Sequence, residues 1–373
     1  MFHNRVNREE LRERMRASQE ARRTLSFYRY FRIDRPAEFR HDLYRDWSAL
    51  GVFGRIYVAQ EGINGQISVP ETNYAAWRAH LDVTPGLANL RLNHAIEDDG
   101  KSFYKLTIKV RPKIVADGLN DAAFDPADGG THLDARQFNA LTERDDCVVV
   151  DMRNNYESEV GHFRDALTPN VATFRESLPL IEELLDDHRD QPVVMYCTGG
   201  IRCEKASASF KHRGFRQVYQ LDGGIIEYTR TAEREGLENK FVGKNFVFDE
   251  RMGERISNEV ISSCHQCGRP SDRHVNCAND HCHLLFLQCE TCAVELDGCC
   301  TEDCREHRAL PEAERAAVAK SREFMGKRYP NARYFPGGPG GSLRRAGSPP
   351  TSALPTDEGR VPVSVSLKQH PAH

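Results

Sequence analysis

The stretch Tyr196–Cys203 reads YCTGGIRC, with the apolar run PVVMY before it and EKASASFKHRGF after it. A cysteine at the end of a buried strand, two glycines and then a helix is an arrangement that can do chemistry. Reactive groups in open α/β sheets sit at the carboxyl ends of strands, and Cys197 is placed there. Thr198, Gly199, Gly200 and Ile201 form a loop in which the glycines let several backbone N–H groups turn toward one point. Such a nest, backed by a helix N-terminus, holds anions and favours a thiolate over a thiol. Arg202 adds a permanent charge with a forked set of donors. The loop suits a cysteine nucleophile whose adduct is negative: a persulfide, a sulfenate or a phosphate. The plainer reading is a structural cysteine at a strand end, with glycines for a tight turn. Cys203 stands one position after Arg202. It is either a packing residue or a thiol able to resolve an oxidised Cys197.

A second concentration of chemistry lies further on. Of twelve cysteines, nine fall between 264 and 304. They are Cys264-x2-Cys267, Cys277-x4-Cys282, Cys289-x2-Cys292, Cys299, Cys300 and Cys304, with His265, His274, His281 and His283 among them. Thiolates two residues apart clamp one side of a tetrahedral ion. The spacing allows Cys264, Cys267, Cys289 and Cys292 to hold one zinc. Cys277, Cys282, Cys304 and either Cys299 or Cys300 would hold a second. Zinc would be structural, letting a short segment fold without a large core. A reduced or disulfide-linked module and an iron–sulfur cluster are the alternatives.

These sites need elements to position them. CVVVDMR, QPVVMYC and QVYQL read as strands buried on both faces, alternating with helical stretches around LPLIEELLDDH and EKASASFKHRG. That alternation gives an α/β domain with a parallel sheet over 131–240. Upstream, LSFYRYFRI, a helix over RPAEFRHDLYRDWSALG, two strands turning at Asn64-Gly65, a helix over ETNYAAWRAHL and the strand KSFYKLTIKV give the order βαββαβ. This is a ferredoxin-like α+β domain over 24–115. Tyr28, Tyr30 and Phe31 are read as its core, with base stacking as the other reading, and His162 as structural rather than catalytic.

A Gly- and Asp-rich linker covers 116–130, the cysteine-rich module 241–310, a helix 311–335 and a Pro/Gly/Ser-rich tail expected to be disordered 336–373. Residues 1–23 carry seven Arg against four Glu, which reads as a solvated helix or a basic arm touching phosphates. No stretch approaches the ~18 apolar residues of a membrane helix. The start has no signal-peptide core, so the expectation is a soluble, cytoplasmic protein. A net charge of −4 argues against nucleic acid binding over the whole surface while leaving room for a local basic groove.

DMRNNYESEVGHFRDAL, with Asp151, Arg153, Glu157, Gly161 and His162, resembles the opening motif of rhodanese domains. CTGGIR resembles their active-site loop and LDGGI their closing motif. The six-residue loop from Cys197 to Arg202 is similar to the sulfurtransferase branch. By that resemblance Cys197 is a persulfide-forming nucleophile. Together with AQEGINGQISV, CHQCG and CHLLFLQC, the architecture resembles the rhodanese-domain tRNA uridine hydroxylases of bacteria from about residue 25 to 310. That family uses molecular oxygen to form 5-hydroxyuridine at wobble position 34. The resemblance implies a tRNA anticodon loop as substrate, since unpaired bases can be splayed into a pocket. It also implies an RNA contact at Glu61 or Asn64, and an electron or sulfur donor that the sequence does not name. No flavin, nicotinamide or facial-triad iron signature is present. Two other functions fit the rhodanese features: a sulfurtransferase carrying a Cys197 persulfide, and a redox or RNA-binding module without turnover.

Overall fold

The computed structural model describes residues 7–119 and 128–334. The first residues of the basic arm, most of the linker and the 336–373 tail lie outside the described residues. The chain divides into two compact units. One comprises the described parts of Met1–Met152, His188–Asn239 and Val247–Glu254; the other those of Arg153–Asp187, Lys240–Phe246 and Arg255–His373.

The first unit holds two sheets. In the ferredoxin-like sheet, β1 is Arg22–Tyr30, β2 Phe53–Ala59, β3 Gly62–Pro70, β4 Asn93–His94 and β5 Leu106–Val110. Their order is β4-β1-β3-β2-β5. β3 runs antiparallel to β1 and β2, as β4 does to β1, while β5 runs parallel to β2. Helices Pro36–Ala49 and Tyr74–Val83 cover one face. Their buried Leu43, Trp47, Trp77 and Leu81 meet Leu25, Phe27, Ile56, Val58, Ile63 and Ile67 of the sheet. Pro36, whose missing N–H costs nothing in a first turn, opens the first helix, and Gly51 at φ +69° follows it.

Two details differ from the sequence reading. The hairpin turns at Gln60-Glu61, because Ala59 pairs with Gly62, and Asn64-Gly65 lies inside β3. Gly65 serves packing: it faces Phe27, whose ring would lie 2.4 Å from a Cβ there. The closing strand of the βαββαβ order is the two-residue β4. The longer segment at 106–110 is a fifth strand added at the opposite edge.

The second sheet of this unit is wholly parallel, in the order Thr131–Leu133, Gln217–Leu221, Pro192–Tyr196 and Val148–Asp151. Every residue of Pro192–Tyr196 is buried, which explains its unbroken apolar run. Helices Ala135–Thr142 and Gly224–Glu235 meet through Phe138 and Tyr228, edge to face with centroids 5.5 Å apart.

The other unit carries the strand Gly161–Phe163 antiparallel to Phe241–Asn245, and the hairpin His274–Asn276 with Leu285–Leu287. Helix Phe174–Leu184 opens with a capping box between Thr173 and Glu176. Leu284, Phe286, Phe324, Tyr329 and Tyr334 form a small core with five cysteines. No helix among the described residues is long and apolar enough to cross a membrane.

Candidate active site and cysteine clusters

The chain leaves the buried strand at Tyr196, passes Cys197 and enters helix Ile201–His212 behind Gly200. Gly200 takes φ +101°, where a Cβ would also come within 2.8 Å of the Tyr28 hydroxyl. The turn brings the Gly200 N–H to 3.1 Å from Cys197 Sγ. Arg202 is buried, and its Nη2 lies 3.4 Å from Thr198 Oγ1. Cys197 and Cys203 are both fully buried, with the Cys203 thiol hydrogen-bonded to Cys197.

These contacts act against one another. Burial is the largest single influence on Cys197 and pushes its pKa up. The Cys203 thiol, the Arg202 charge and the backbone N–H groups of Arg202 and Gly200 together outweigh it, bringing the value down to about 5. Cys203 moves the other way: burial first, then the anion beside it, raise its pKa well above the ordinary value. The pair thus divides into a thiolate and a thiol that donates to it.

The Asp222–Ile226 turn packs under the loop. Ile225 N–H donates to Cys197 O at 3.0 Å and Ile226 N–H to Thr198 O at 3.3 Å. Gly224 sits so close that a Cβ would lie 2.4 Å from Cys197 O, and its φ is +65°. The glycines of LDGGI therefore support the cysteine loop from below.

The ferredoxin-like sheet touches the same loop. Asn93 Nδ2 donates to Gly199 O at 3.3 Å, Tyr30 to Ile201 O at 3.3 Å, and the Tyr28 hydroxyl to Glu204 Oε1 at 2.9 Å. Tyr28 and Tyr30 are half-buried at this contact and take no part in the sheet's core, whereas Phe31 packs against it. Glu204 also accepts from Gln220 Nε2 at 2.9 Å, and His132 lies beside both Glu204 and Asp222. Hydrogen bonds to those two carboxylates raise the His132 pKa to about 9.

Glu61 and Asn64 have partners inside the chain where an RNA contact was expected. Both Glu61 oxygens lie 2.9 Å from the buried ammonium of Lys205, and Oε1 also accepts the Ile114 N–H. Asn64 donates to Ile114 O and accepts from Gln66. Lys205, Glu204 and Asn93 escaped the sequence reading, which placed Tyr28 in the core. Lys205 alone left a sign there, a cation directly before the small-residue run ASAS, which implies a closely packed helix face.

Of the opening-motif residues, Asp151 accepts from Tyr196 at 2.8 Å. In the other unit, buried Arg153 donates to Gly161 O at 2.6 Å, Glu157 caps the helix Asn155–Ser158, and His162 Nδ1 lies 2.9 Å from Phe163 O.

All twelve cysteines are free thiols. Eight converge in two groups of four, each with its sulfurs within 4.8 Å of one another: Cys264, Cys267, Cys289 and Cys292, and Cys277, Cys282, Cys300 and Cys304. Cys300 completes the second group, and Cys299, buried beside Cys277, is not one of its four sulfurs. Sulfur pairs lie 3.6 Å apart at Cys267 and Cys289, and 3.7 Å apart at Cys282 and Cys300 and at Cys300 and Cys304. A tetrahedron of thiolates about 2.3 Å from zinc has edges of about 3.8 Å, so the donor set fits that ion. Backbone N–H groups point at the sulfurs as well, Cys300 N at Cys277 and Gly326 N at Cys282. The four histidines supply no ligand atom to either group. His265 lies 2.9 Å from Glu159 through Nε2 and accepts Leu287 N–H at Nδ1.

Three family models match the chain. They are the UPF0176 acylphosphatase like domain over 22–114, the Rhodanese-like domain over 134–231 and the Rhodanase C-terminal model over 242–305. A protein of Photorhabdus laumondii subsp. laumondii named tRNA uridine(34) hydroxylase is 54% identical over 335 residues, spanning 90% of this chain and 95% of its own. One of the same name from Pectobacterium carotovorum subsp. carotovorum is 56% identical over 324 residues, spanning 87% of this chain and 91% of its own. Among solved structures, the Alr3790 protein from Anabaena sp. is 18% identical and covers 30% of this chain and 81% of its own, with a TM-score of 0.25.

Proposed function

Since the chain belongs to the tRNA uridine(34) hydroxylase family, we propose that it hydroxylates uridine 34 of tRNA through Cys197. It is a tRNA-modifying oxidoreductase built on a rhodanese domain. The observation that carries the role of Cys197 is the loop itself. A buried sulfur that receives a backbone N–H, a second thiol and the field of Arg202 is a thiolate at neutral pH. Such a thiolate can add to C6 of uracil, which pushes an electron pair onto C5 and the neighbouring C4 carbonyl. C5 then forms the new bond to oxygen, loses its proton, and C6 expels the thiolate.

Molecular oxygen is the co-substrate in this reading. One of its atoms enters the base and the other leaves as water, with two electrons and two protons from a donor. The substrate is the unpaired anticodon loop, and the cytoplasm, where tRNA is charged and used, is the place of action. In the second compact unit, each group of four cysteines would hold a structural zinc ion, which fastens the hairpin and the short helices to one another.

The test is mass spectrometry of nucleosides from tRNA bearing uridine 34, incubated with the protein in air and without oxygen. The expected product is a uridine heavier by one oxygen atom, formed only in air and lost in Cys197→Ser. A fully active Cys197→Ser would exclude the covalent role. Thiocyanate formation from thiosulfate and cyanide with no new nucleoside would point to a sulfurtransferase.

A further inference from the structure

Helices Pro36–Ala49 and Tyr74–Val83 lie on one face of the ferredoxin-like sheet; on the other, helix Ile201–His212 meets Tyr28 and Tyr30, and the Ile114 carbonyl meets Asn64. Leu25, Phe27, Ile56, Val58, Ile63, Ile67 and Ile108 point to the first two helices. By the two-residue period of a strand, their neighbours stand on the other face. The pairing register sets these neighbours in two transverse rows. Asn93, Ser26, Gln66, Arg55 and Thr107 form one; Tyr28, Asn64, Tyr57 and Lys109 form the next.

Both rows start at the cysteine loop. Asn93 is bonded to Gly199 O, and the Tyr28 hydroxyl to Glu204 beside Gly200. Three strand spacings further on, about 14 Å away, each row carries an exposed cation. Arg55 and Lys109 are both exposed, and neither has a carboxylate partner among the described residues. Three other arginines of this domain are paired with carboxylates, Arg23 with Glu71, Arg32 with Asp34 and Arg45 with Asp42, while Arg29 donates to backbone carbonyls. The half-buried Tyr57 lies between, with the Arg111 guanidinium 5.6 Å from its ring.

We infer that the part of this face beyond helix Ile201–His212, around Arg55, Tyr57 and Lys109, binds the single-stranded nucleotides of the anticodon loop. Arg55 and Lys109 take backbone phosphates, Tyr57 takes a base on its ring, and the rows lead the wobble base to Cys197. The inference rests on the tRNA reading above. Its chemistry is general: a βαββαβ sheet with aromatics on its free face stacks about two or three unpaired bases, and free cations at the rim hold the backbone. The face is continuous with the reactive loop, which suits RNA whose reacting base must reach the sulfur while its neighbours stay held.

The experiment measures binding of a fluorescein-labelled RNA hairpin carrying the anticodon stem and loop to the full chain, by anisotropy over a range of salt. Tyr57→Ala should weaken binding by roughly tenfold. The double variant Arg55→Gln with Lys109→Gln should weaken it by a similar factor and flatten the dependence of log Kd on log salt by about 1.4, from about 0.7 per single-strand phosphate contact. Arg55→Lys should retain most of the affinity, and Arg45→Gln, on the helix-covered side, all of it. Cys197→Ser should bind like the wild type. Thermal unfolding of each variant separates lost binding from lost fold.

Wild-type binding in Tyr57→Ala and in the double variant, by folded proteins, overturns the inference even if the wild type hydroxylates uridine 34. A wild type that makes no 5-hydroxyuridine, with binding still lost in these variants, leaves the RNA face standing and removes the hydroxylase reading instead.

Discussion

The ammonium of Lys205 lies 2.6 Å from Asp117 and 2.9 Å from Glu61, and Lys205 and Asp117 are each 1% exposed. Lys205 stands one turn past Arg202 on the helix that the cysteine loop begins. Glu61 is in the β2–β3 turn, and Asp117 follows β5. A buried ammonium needs such company, since an isolated charge in a protein interior is expensive. The arrangement ties the helix behind Cys197 to the ferredoxin-like sheet. Asp117 shows the effect: burial is the strongest influence and raises its pKa, yet Lys113 and Lys205 together bring it below the usual carboxylate range.

Lys205→Met would leave the two carboxylates facing each other without their cation. The expected loss is about 3–5 kcal/mol of folding stability, read from the urea midpoint at neutral pH. A loss under about 1 kcal/mol, the worth of an exposed pair, would mean that water reaches the cluster and that it fastens nothing.

Gly224→Ala tests the support under the loop. The position needs a left-handed backbone, which costs a non-glycine residue about 1–2 kcal/mol, and the new Cβ would meet Cys197 O at 2.4 Å. The loop must shift to make room. The expected result is a lower melting temperature together with loss of the fast alkylation of Cys197. Alkylation at the wild-type rate in a folded variant would show that the turn beneath the loop does not shape it.

The active loop and the ferredoxin-like and parallel sheets were legible because their signals are local. A Cys at a strand end followed by two glycines, an unbroken apolar run, and alternation with helical spacing each depend on a few neighbouring residues. What escaped depends on residues far apart in the chain. Asn64-Gly65 has the composition of a turn, but Phe27, 38 positions earlier, needs the space above Gly65. Tyr28 and Tyr30 alternate like core residues, yet the face they stand on touches the helix after Cys197. β4 has two residues and no pattern to read. Spacing alone left Cys299 and Cys300 equal, since which of two adjacent sulfurs joins a group of four depends on the backbone around them.

Cys197 should titrate far below an ordinary thiol. With its pKa near 5, against about 8.5 for a free cysteine, the thiolate is nearly complete at neutral pH. Iodoacetamide labelling of the Cys197 peptide, followed by mass spectrometry, should rise as pH rises through about 5 and then level off. The sign for stability is the same. A depressed pKa stabilises the fold fully above the unfolded value, and that contribution disappears as pH falls through the folded one. Arg202→Met removes one of the anion's supports and should move the labelling midpoint upward. A wild-type midpoint at the free-thiol value would remove the thiolate from the mechanism.

The two groups of four sulfurs make a sharper prediction about neighbouring residues. Purified under reducing conditions with zinc present, the chain should hold two zinc ions, measured by mass spectrometry of the metal. Cys300→Ala removes a sulfur from the second group and should reduce the content to about one, because three thiolates bind zinc less tightly than four. Cys299→Ala removes a buried sulfur that is not one of the four and should leave both ions in place. Stability separates the two variants further. A chelator should lower the melting temperature of the wild type and of Cys299→Ala, whereas Cys300→Ala should start lower and fall less. Equal zinc loss in the two variants would mean that the second site draws on both residues. Full zinc content in Cys300→Ala would place the fourth ligand at Cys299, against the sulfur positions described above.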